Sequence, residues 1–212
     1  MSGKHPYLYE PTTAITDFII GVLGMAFGWQ LFNIPDSLFH FLWGNCFFAV
    51  GIGGFLGGIS HGFGPRFSEL LKKIIWRSTL IFVGVTGLSL SLAALTFFTN
   101  DKVQNLLMII AALMLIFYFI QINKQDTFGQ AVKFYFPLIV VSLFGFSIAY
   151  VTTGYLGALF CSIGLVVSLV ASWIQMSGIS LHQHFNHNDL FHMIQILGMV
   201  LMYRGGMEIP VF

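Results

Sequence analysis

The chain has 212 residues, of which 57% are hydrophobic and only 8% are charged, and its formal net charge is +1. Soluble domains carry about 25% charged residues, so this composition excludes an ordinary soluble domain. A net charge so close to zero gives no reason to expect a nucleic-acid partner. Apolar runs of about 20 residues recur along the sequence, without the short alternating segments of a β-barrel, which predicts a polytopic helical membrane protein.

The predicted fold is all-α, with seven transmembrane helices in one bundle that forms a single domain over residues 1–212. Short polar, glycine-containing or proline-containing stretches separate the apolar segments and set their limits. The predicted spans are about residues 13–32, 37–63, 70–98, 103–122, 132–150, 155–176 and 188–203. The seventh has a short apolar core, and Arg204-Gly205-Gly206 is expected to stop it.

Basic residues are divided unevenly between the two sides of such a bundle. With seven spans, the N-terminus shares one side with the loops after spans two, four and six. That side carries Lys4, Arg66, Lys72, Lys73, Lys124 and Lys133, whereas the other carries Lys102 and Arg204. Because cytoplasmic loops are enriched in Lys and Arg, we expect the N-terminus in the cytoplasm and the C-terminus outside.

Ionisable groups collect at the cytoplasmic ends of three predicted helices. The start of span one carries Glu10 and Asp17, the end of span two carries Ser60 and His61, and the start of span seven carries His184, His187, Asn188, Asp189 and His192. The opposite side offers little beyond Asp36 and His40, which are expected at the bilayer interface. Unpaired ionisable side chains are costly in a membrane, so this one-sided clustering predicts a functional site at the inner leaflet.

The residue types in this cluster suit a catalytic zinc ion, which takes three protein ligands and keeps one position open for water. His61 is expected at a depth comparable with that of His192, and Asp189 shares a helix face with His192 at spacing i, i+3. His187 offers another imidazole but lies about 140° round the helix from His192. Zinc lowers the pKa of bound water to about 7, and Asp17 or Asp189 is expected to orient an imidazole or act as general base.

A glycine-rich segment, Gly51–Gly58, lies in span two just before His61. Its pairs Gly53/Gly57 and Gly54/Gly58 have the spacing that lets two helices approach closely. We interpret the segment as a packing surface rather than a phosphate site, and expect it to bring another helix near His61.

Two segments, Gly57-Gly-Ile-Ser-His-Gly-Phe63 and Asn188-Asp-Leu-Phe-His192, resemble motifs of the superfamily that groups alkaline ceramidases with the progestin and adipoQ receptors. Its members have seven spans and are thought of as zinc-dependent hydrolases. They have a histidine late in span two and a His-x-x-x-His pair at the start of span seven.

The resemblance implies His61 and His192 as zinc ligands, with Asp189 or His187 as the third. Asn188 stands where the family has the first histidine of the pair. The family's span-two serine falls on Gly57, and Ser60, beside His61, is the candidate catalytic hydroxyl. The leading prediction is an intramembrane zinc-dependent hydrolase, in which metal-bound hydroxide attacks a lipid amide or ester and Asp17 orients groups or relays protons.

Two other functions fit the same residues. His61 and His192 could be the axial ligands of a b-type haem between spans two and seven, which predicts a Soret band. A non-catalytic lipid-binding or receptor-like protein would instead use the polar cluster as a structural hydrogen-bond network. In that case chelation of metals would leave both the fold and ligand binding intact.

Overall fold

Seven long helices make up most of the protein in the computed structural model, which describes residues 8–182 and 185–211. They are α1 (Pro11–Phe32), α2 (Leu38–Phe63), α3 (Glu69–Leu95), α4 (Asp101–Lys124), α5 (Phe128–Thr153), α6 (Leu156–Ser177) and α7 (His187–Glu208). Short 3₁₀ turns follow α2 and α3. The prediction of an all-α fold is confirmed for the described residues.

Among the described residues, six helices are long and apolar enough to cross a membrane, namely α1 to α6. α7 has 22 residues, which corresponds to about 33 Å of helix and is long enough as well. Its lower hydropathy comes from polar residues, of which Asp189 and His192 are buried in the protein. The other polar residues of α7 include Arg204 and Glu208 near its end, which are exposed.

The helix limits differ most from the prediction at α5 and α7. α5 begins at Phe128 rather than at residue 132, and α7 continues to Glu208 rather than ending at residue 203. Gly205 does not stop α7, because it is a packing position: a Cβ there would lie 2.6 Å from the carbonyl oxygen of Gly157 in α6. The expected stop at Arg204-Gly205-Gly206 was therefore wrong.

Six of the helices form a closed ring. α1 packs on α2, α2 on α3, α3 on α5, α5 on α6, α6 on α7, and α7 returns to α1. α4 lies outside this ring, where it packs mainly on α3. The first and last of the described helices are therefore neighbours.

α1 and α2 approach each other closely because glycines face each other at their contact. A Cβ on Gly24 of α1 would lie 2.6 Å from the backbone of Gly51 in α2. The expectation that the glycine-rich segment brings another helix near the end of α2 is confirmed, and that helix is α1. The contact places the first turns of α1 beside the last turns of α2.

At the opposite end of the bundle, a buried histidine joins α2 to α7. His40 is only 1% exposed. Its Nδ1 lies 2.6 Å from the hydroxyl oxygen of Ser37, and its Nε2 lies 3.0 Å from the carbonyl oxygen of Gly206. Deeper in the bundle, the indole N–H of Trp43 donates to the carbonyl of Met202 at 3.1 Å. These contacts fix the position of α7 along α2.

Candidate functional site

Two carboxylates and one imidazole meet where α1 packs against α7. Asp17 lies on the second turn of α1, and Asp189 and His192 lie on the first two turns of α7. Their exposed fractions are 6%, 1% and 5%. A buried ionisable group needs a partner, and here most of the partners come from the other helix.

His192 is held by contacts on both ring nitrogens. Its Nε2 lies 3.2 Å from Oδ1 of Asp17, and its Nδ1 lies 2.8 Å from Oγ1 of Thr16. The Thr16 hydroxyl also lies 3.0 Å from the carbonyl oxygens of Thr12 and Thr13. The Thr16 hydroxyl has a single proton to donate. If it donates that proton to one of the carbonyl oxygens, its oxygen must accept a hydrogen bond from Nδ1 of His192. In that arrangement, the contact between Nε2 and Asp17 requires one further proton, shared by the pair.

Asp17 uses only one of its two carboxylate oxygens. Oδ1 contacts His192, whereas Oδ2 is buried and has no hydrogen-bond partner. The carboxylate packs against Gly57 of α2, where a Cβ would lie 3.0 Å from Oδ1. Because Gly57 has no side chain, the carboxylate of Asp17 can occupy the space beside it. Unpartnered buried oxygens are rare in proteins, which makes Oδ2 a candidate position for a ligand, a water or a proton.

Asp189 has partners on both oxygens. Oδ1 accepts from the hydroxyl of Thr13 at 2.8 Å, and Oδ2 accepts from the backbone N–H of Asn186 at 2.8 Å. Asn186 in turn accepts from the backbone N–H groups of Asn188 and Asp189, which completes a capping box at the start of α7. Asp189 therefore fixes the start of α7 to α1.

A second carboxylate–imidazole pair lies nearer to the surface. Nδ1 of His61 is 3.0 Å from Oε2 of Glu10, and the two side chains are 30% and 47% exposed. His61 is one helical turn beyond Gly57, the residue that contacts Asp17, so the two pairs are offset by about 6 Å along α2. The site consists of an outer pair, Glu10–His61, and an inner pair, Asp17–His192.

The remaining predicted residues adjoin these pairs in sequence. Ser60 is half-buried on the last turns of α2, and His187 is half-buried as the first residue of α7. Asn188 accepts from the side-chain amide of Gln175 in α6 at 3.4 Å. His184 falls outside the described residues.

The donor types suit zinc, but their described arrangement does not. Histidine and carboxylate are ordinary zinc ligands. Within residues 8–182 and 185–211, however, no group of three or more His, Cys, Asp or Glu side chains is arranged to hold a metal ion. His61 contacts Glu10, and Asp189 is used by Thr13 and Asn186. His192 has contacts on both ring nitrogens, so its use as a zinc ligand would require one of those two contacts to break.

Thr13 and Thr16 were not predicted from the sequence. Their hydroxyls contact Asp189 and His192. The available signal was their spacing, because Thr13, Thr16 and Asp17 stand at i, i+3 and i+4 and share one face of α1. A threonine in an apolar helix is common enough that this spacing alone does not identify a site.

A family model described as a family of unknown function (DUF6962) matches residues 12–210. That range includes all seven helices almost completely, as well as Asp17, His61 and His192. No curated protein and no solved structure matches the chain.

Proposed function

The chain belongs to this family of unknown function, and we propose that it is an integral membrane hydrolase that cleaves the amide or ester bond of a lipid. Six apolar helices of sufficient length support the membrane part of the proposal. The buried pair of Asp17 and His192 supports the hydrolytic part. The distribution of Lys and Arg favours a cytoplasmic N-terminus and therefore a site at the inner leaflet.

The free oxygen of Asp17 is the observation that carries the hydrolytic proposal. General-base catalysis requires an acceptor that can reach the attacking water. Both nitrogens of His192 and both oxygens of Asp189 already have partners. Oδ2 of Asp17 is buried and has none. Of the two carboxylates that the sequence offered as base, the geometry favours Asp17.

The proposed reaction uses these groups in a simple order. A water molecule donates a hydrogen bond to Oδ2 of Asp17 and attacks the lipid carbonyl carbon, while its proton passes to that oxygen. The bond from the carbonyl carbon to the leaving oxygen or nitrogen then breaks, and the proton passes to the leaving group. The products are a fatty acid and an alcohol or amine. His192 keeps Asp17 in position through Oδ1.

The outer pair supports proton exchange with the aqueous phase. Glu10 and His61 are partly exposed, whereas Asp17 and His192 are buried. Carboxylate and imidazole groups one helical turn apart provide acceptors between the surface and the inner pair. We assign Glu10 and His61 the role of exchanging protons between the inner pair and the aqueous phase. Ser60, which adjoins His61 in sequence, stays a predicted catalytic hydroxyl.

Zinc is the metal to test, because of the resemblance to zinc-dependent hydrolases. The predicted ligands are His61 and His192 with either Asp189 or His187. The experiment is metal analysis of the purified protein together with a His61→Ala/His192→Ala variant. Zinc near one equivalent in the native chain, and far less in the variant, would support a metal site; low and equal zinc in both would contradict it. A Soret band would point to haem instead.

An activity assay tests the hydrolase directly. Purified protein in detergent micelles would be incubated with a fluorescent ceramide and with a fluorescent fatty-acyl ester, and fatty-acid release measured. Asp17→Asn is expected to lower release at least 100-fold, the usual size of a lost general base. Asp101→Asn, an acid in the first turn of α4, is the matched control. Release from neither substrate, or equal release by Asp17→Asn, would contradict the proposal.

A further inference from the structure

A small cavity lies inside the ring of helices, one turn further along α7 than His192. Its volume is about 20 Å³, and its walls come from α2, α3, α5, α6 and α7. Most of the lining is apolar, including Trp43, Leu165 and Met199. Gln195 lies on the same face of α7 as His192, at spacing i, i+3, or about 4.5 Å along the helix.

Two polar side chains that line this cavity lack partners among the described residues. Tyr135 and Gln195 both line the cavity, and neither side chain makes a hydrogen bond with another described residue. A polar group inside an apolar bundle is costly when nothing satisfies it. Both side chains are half-buried, and a partner inside the cavity would remove this cost.

Two hydroxyls add acceptors to the same walls. Thr86 donates to the carbonyl of Phe82 at 2.8 Å, and Ser168 donates to the carbonyl of Gly164 at 3.0 Å. Because each hydroxyl proton is used in this way, the oxygen lone pairs remain free to accept. Together with Tyr135 and Gln195, the cavity presents both donors and acceptors to one small space.

We propose that this cavity binds ordered water, which bridges Gln195 and Tyr135 and supplies the water consumed at Asp17. A buried water needs roughly 10–15 Å³ and two to four polar partners, and this cavity meets both conditions. The occupancy by water follows from the cavity alone, whereas its use as the attacking water rests on the proposed hydrolase.

The structural test is a map of the purified protein at a resolution that shows ordered water. We expect density between the Gln195 amide and the Tyr135 hydroxyl in the native protein, and its loss or displacement in Gln195→Leu. Tyr135→Phe gives a second, nearly isosteric variant if Gln195→Leu does not fold. An empty cavity in the native protein, or unchanged density in both variants, would overturn the proposal.

The kinetic test separates the water site from the hydrolase. With the fluorescent ceramide or ester as substrate, Gln195→Leu is expected to lower kcat about 10-fold with little change in KM, because a positioned reactant is lost rather than lipid binding. Gln104→Leu is the control, since its amide already donates to the carbonyl of Thr99 at 2.9 Å.

The outcomes of the two tests can be told apart. Ordered water with unchanged kcat in Gln195→Leu would overturn the supply of water to Asp17. Ordered water in a native protein that hydrolyses neither probe would uphold the water site and contradict the hydrolase. If the water density is unchanged in the variants but kcat is lower, Gln195 does not act through this water. That result would overturn the proposal that the water bridges Gln195 and Tyr135.

Discussion

The imidazole of His192 lies 3.2 Å from the carboxylate of Asp17, and both side chains are more than nine-tenths buried. This contact joins α1 to α7 and closes the ring of six helices. The same carboxylate keeps one oxygen without a partner. A purely structural ion pair would be expected to satisfy both oxygens, so the incomplete pairing is consistent with the proposed role of Asp17 as a general base.

Asp17→Asn is expected to stabilise the protein while it removes activity. The substitution keeps the shape of the side chain and removes the charge of a buried, partly unpartnered group. The free energy of unfolding should rise by about 1 kcal/mol, since an unsatisfied buried group costs more when it is charged than when it is neutral. Chemical denaturation in detergent measures this change. A clear loss of stability would instead assign Asp17 a structural role.

Gly57→Ala is expected to disturb the inner pair without breaking α2. A Cβ at this position would lie 3.0 Å from Oδ1 of Asp17, so the carboxylate must shift. Lipid hydrolysis should fall about 10-fold or more, because small displacements of a catalytic group have large effects. The assay with fluorescent lipid measures this effect.

Gly53→Ala is the matched control, one turn earlier on the same helix. A Cβ there would meet only the Cβ of Phe82, at an ordinary 3.8 Å. Both alanines improve the helix propensity of α2 equally. Equal activity of the two variants would show that the space beside Asp17 does not matter.

The loop between α4 and α5 is expected to loosen in acid. Arg77 of α3 donates to the Asp126 carboxylate at 2.8 Å, and this hydrogen bond lowers the pKa of Asp126 below its ordinary 3.8. A lowered pKa in the folded state stabilises the protein above pH 3.8, and that stability is lost as the pH falls through the folded-state value. The apparent unfolding temperature in detergent, followed from neutral to acid pH, measures the effect.

Asp126→Asn is the comparison for this pH dependence. The variant keeps the backbone carbonyl that accepts from the Trp76 indole at 2.7 Å, but its side chain does not titrate. It should be less stable than the native protein at neutral pH, and the difference should disappear in acid. A constant difference across the pH range would mean that the Arg77 contact does not depend on the charge.

The orientation is tested by cysteines at the two ends of α4. Lys102→Cys and Lys124→Cys replace exposed lysines at either end of this helix. The native cysteines, Cys46 and Cys161, are buried and should give little background. An impermeant maleimide should label the Lys102→Cys variant in intact cells. It should label the Lys124→Cys variant only after the cells are lysed. The reverse pattern would invert the orientation, and labelling of both before lysis would contradict a membrane-spanning α4.

The all-α type of the fold and the places of the seven helices described here were predictable, because the apolar runs are long and polar stretches separate them; the count of seven membrane spans stays a prediction. The limits of α7 were harder to predict, because Gly205 and Gly206 look like a helix stop when only the chain is considered. In the structure both are buried against neighbouring helices. A single sequence does not distinguish a glycine that ends a helix from one that lets another helix approach.

The composition of the candidate site was easier to predict than its pairing. Topology indicated that α1, α2 and α7 bring ionisable groups to one end, but not that His61 faces Glu10 while His192 faces Asp17. Pairing depends on rotation of each helix about its axis, which is set by packing. The burial of His40 was missed for the same reason, because its partner carbonyl belongs to Gly206, far away in sequence.

The contact between α1 and α7 determines when, during synthesis, the pair of Asp17 and His192 can form. Asp17 is synthesised early, and the helix that carries His192 is the last of the seven to leave the ribosome. Until α7 arrives, the ring stays open between α1 and α6, and the inner carboxylate has no imidazole beside it. A nascent or truncated chain without α7 therefore lacks the Asp17–His192 pair, and the chemistry proposed for this pair could begin only after the last helix has docked.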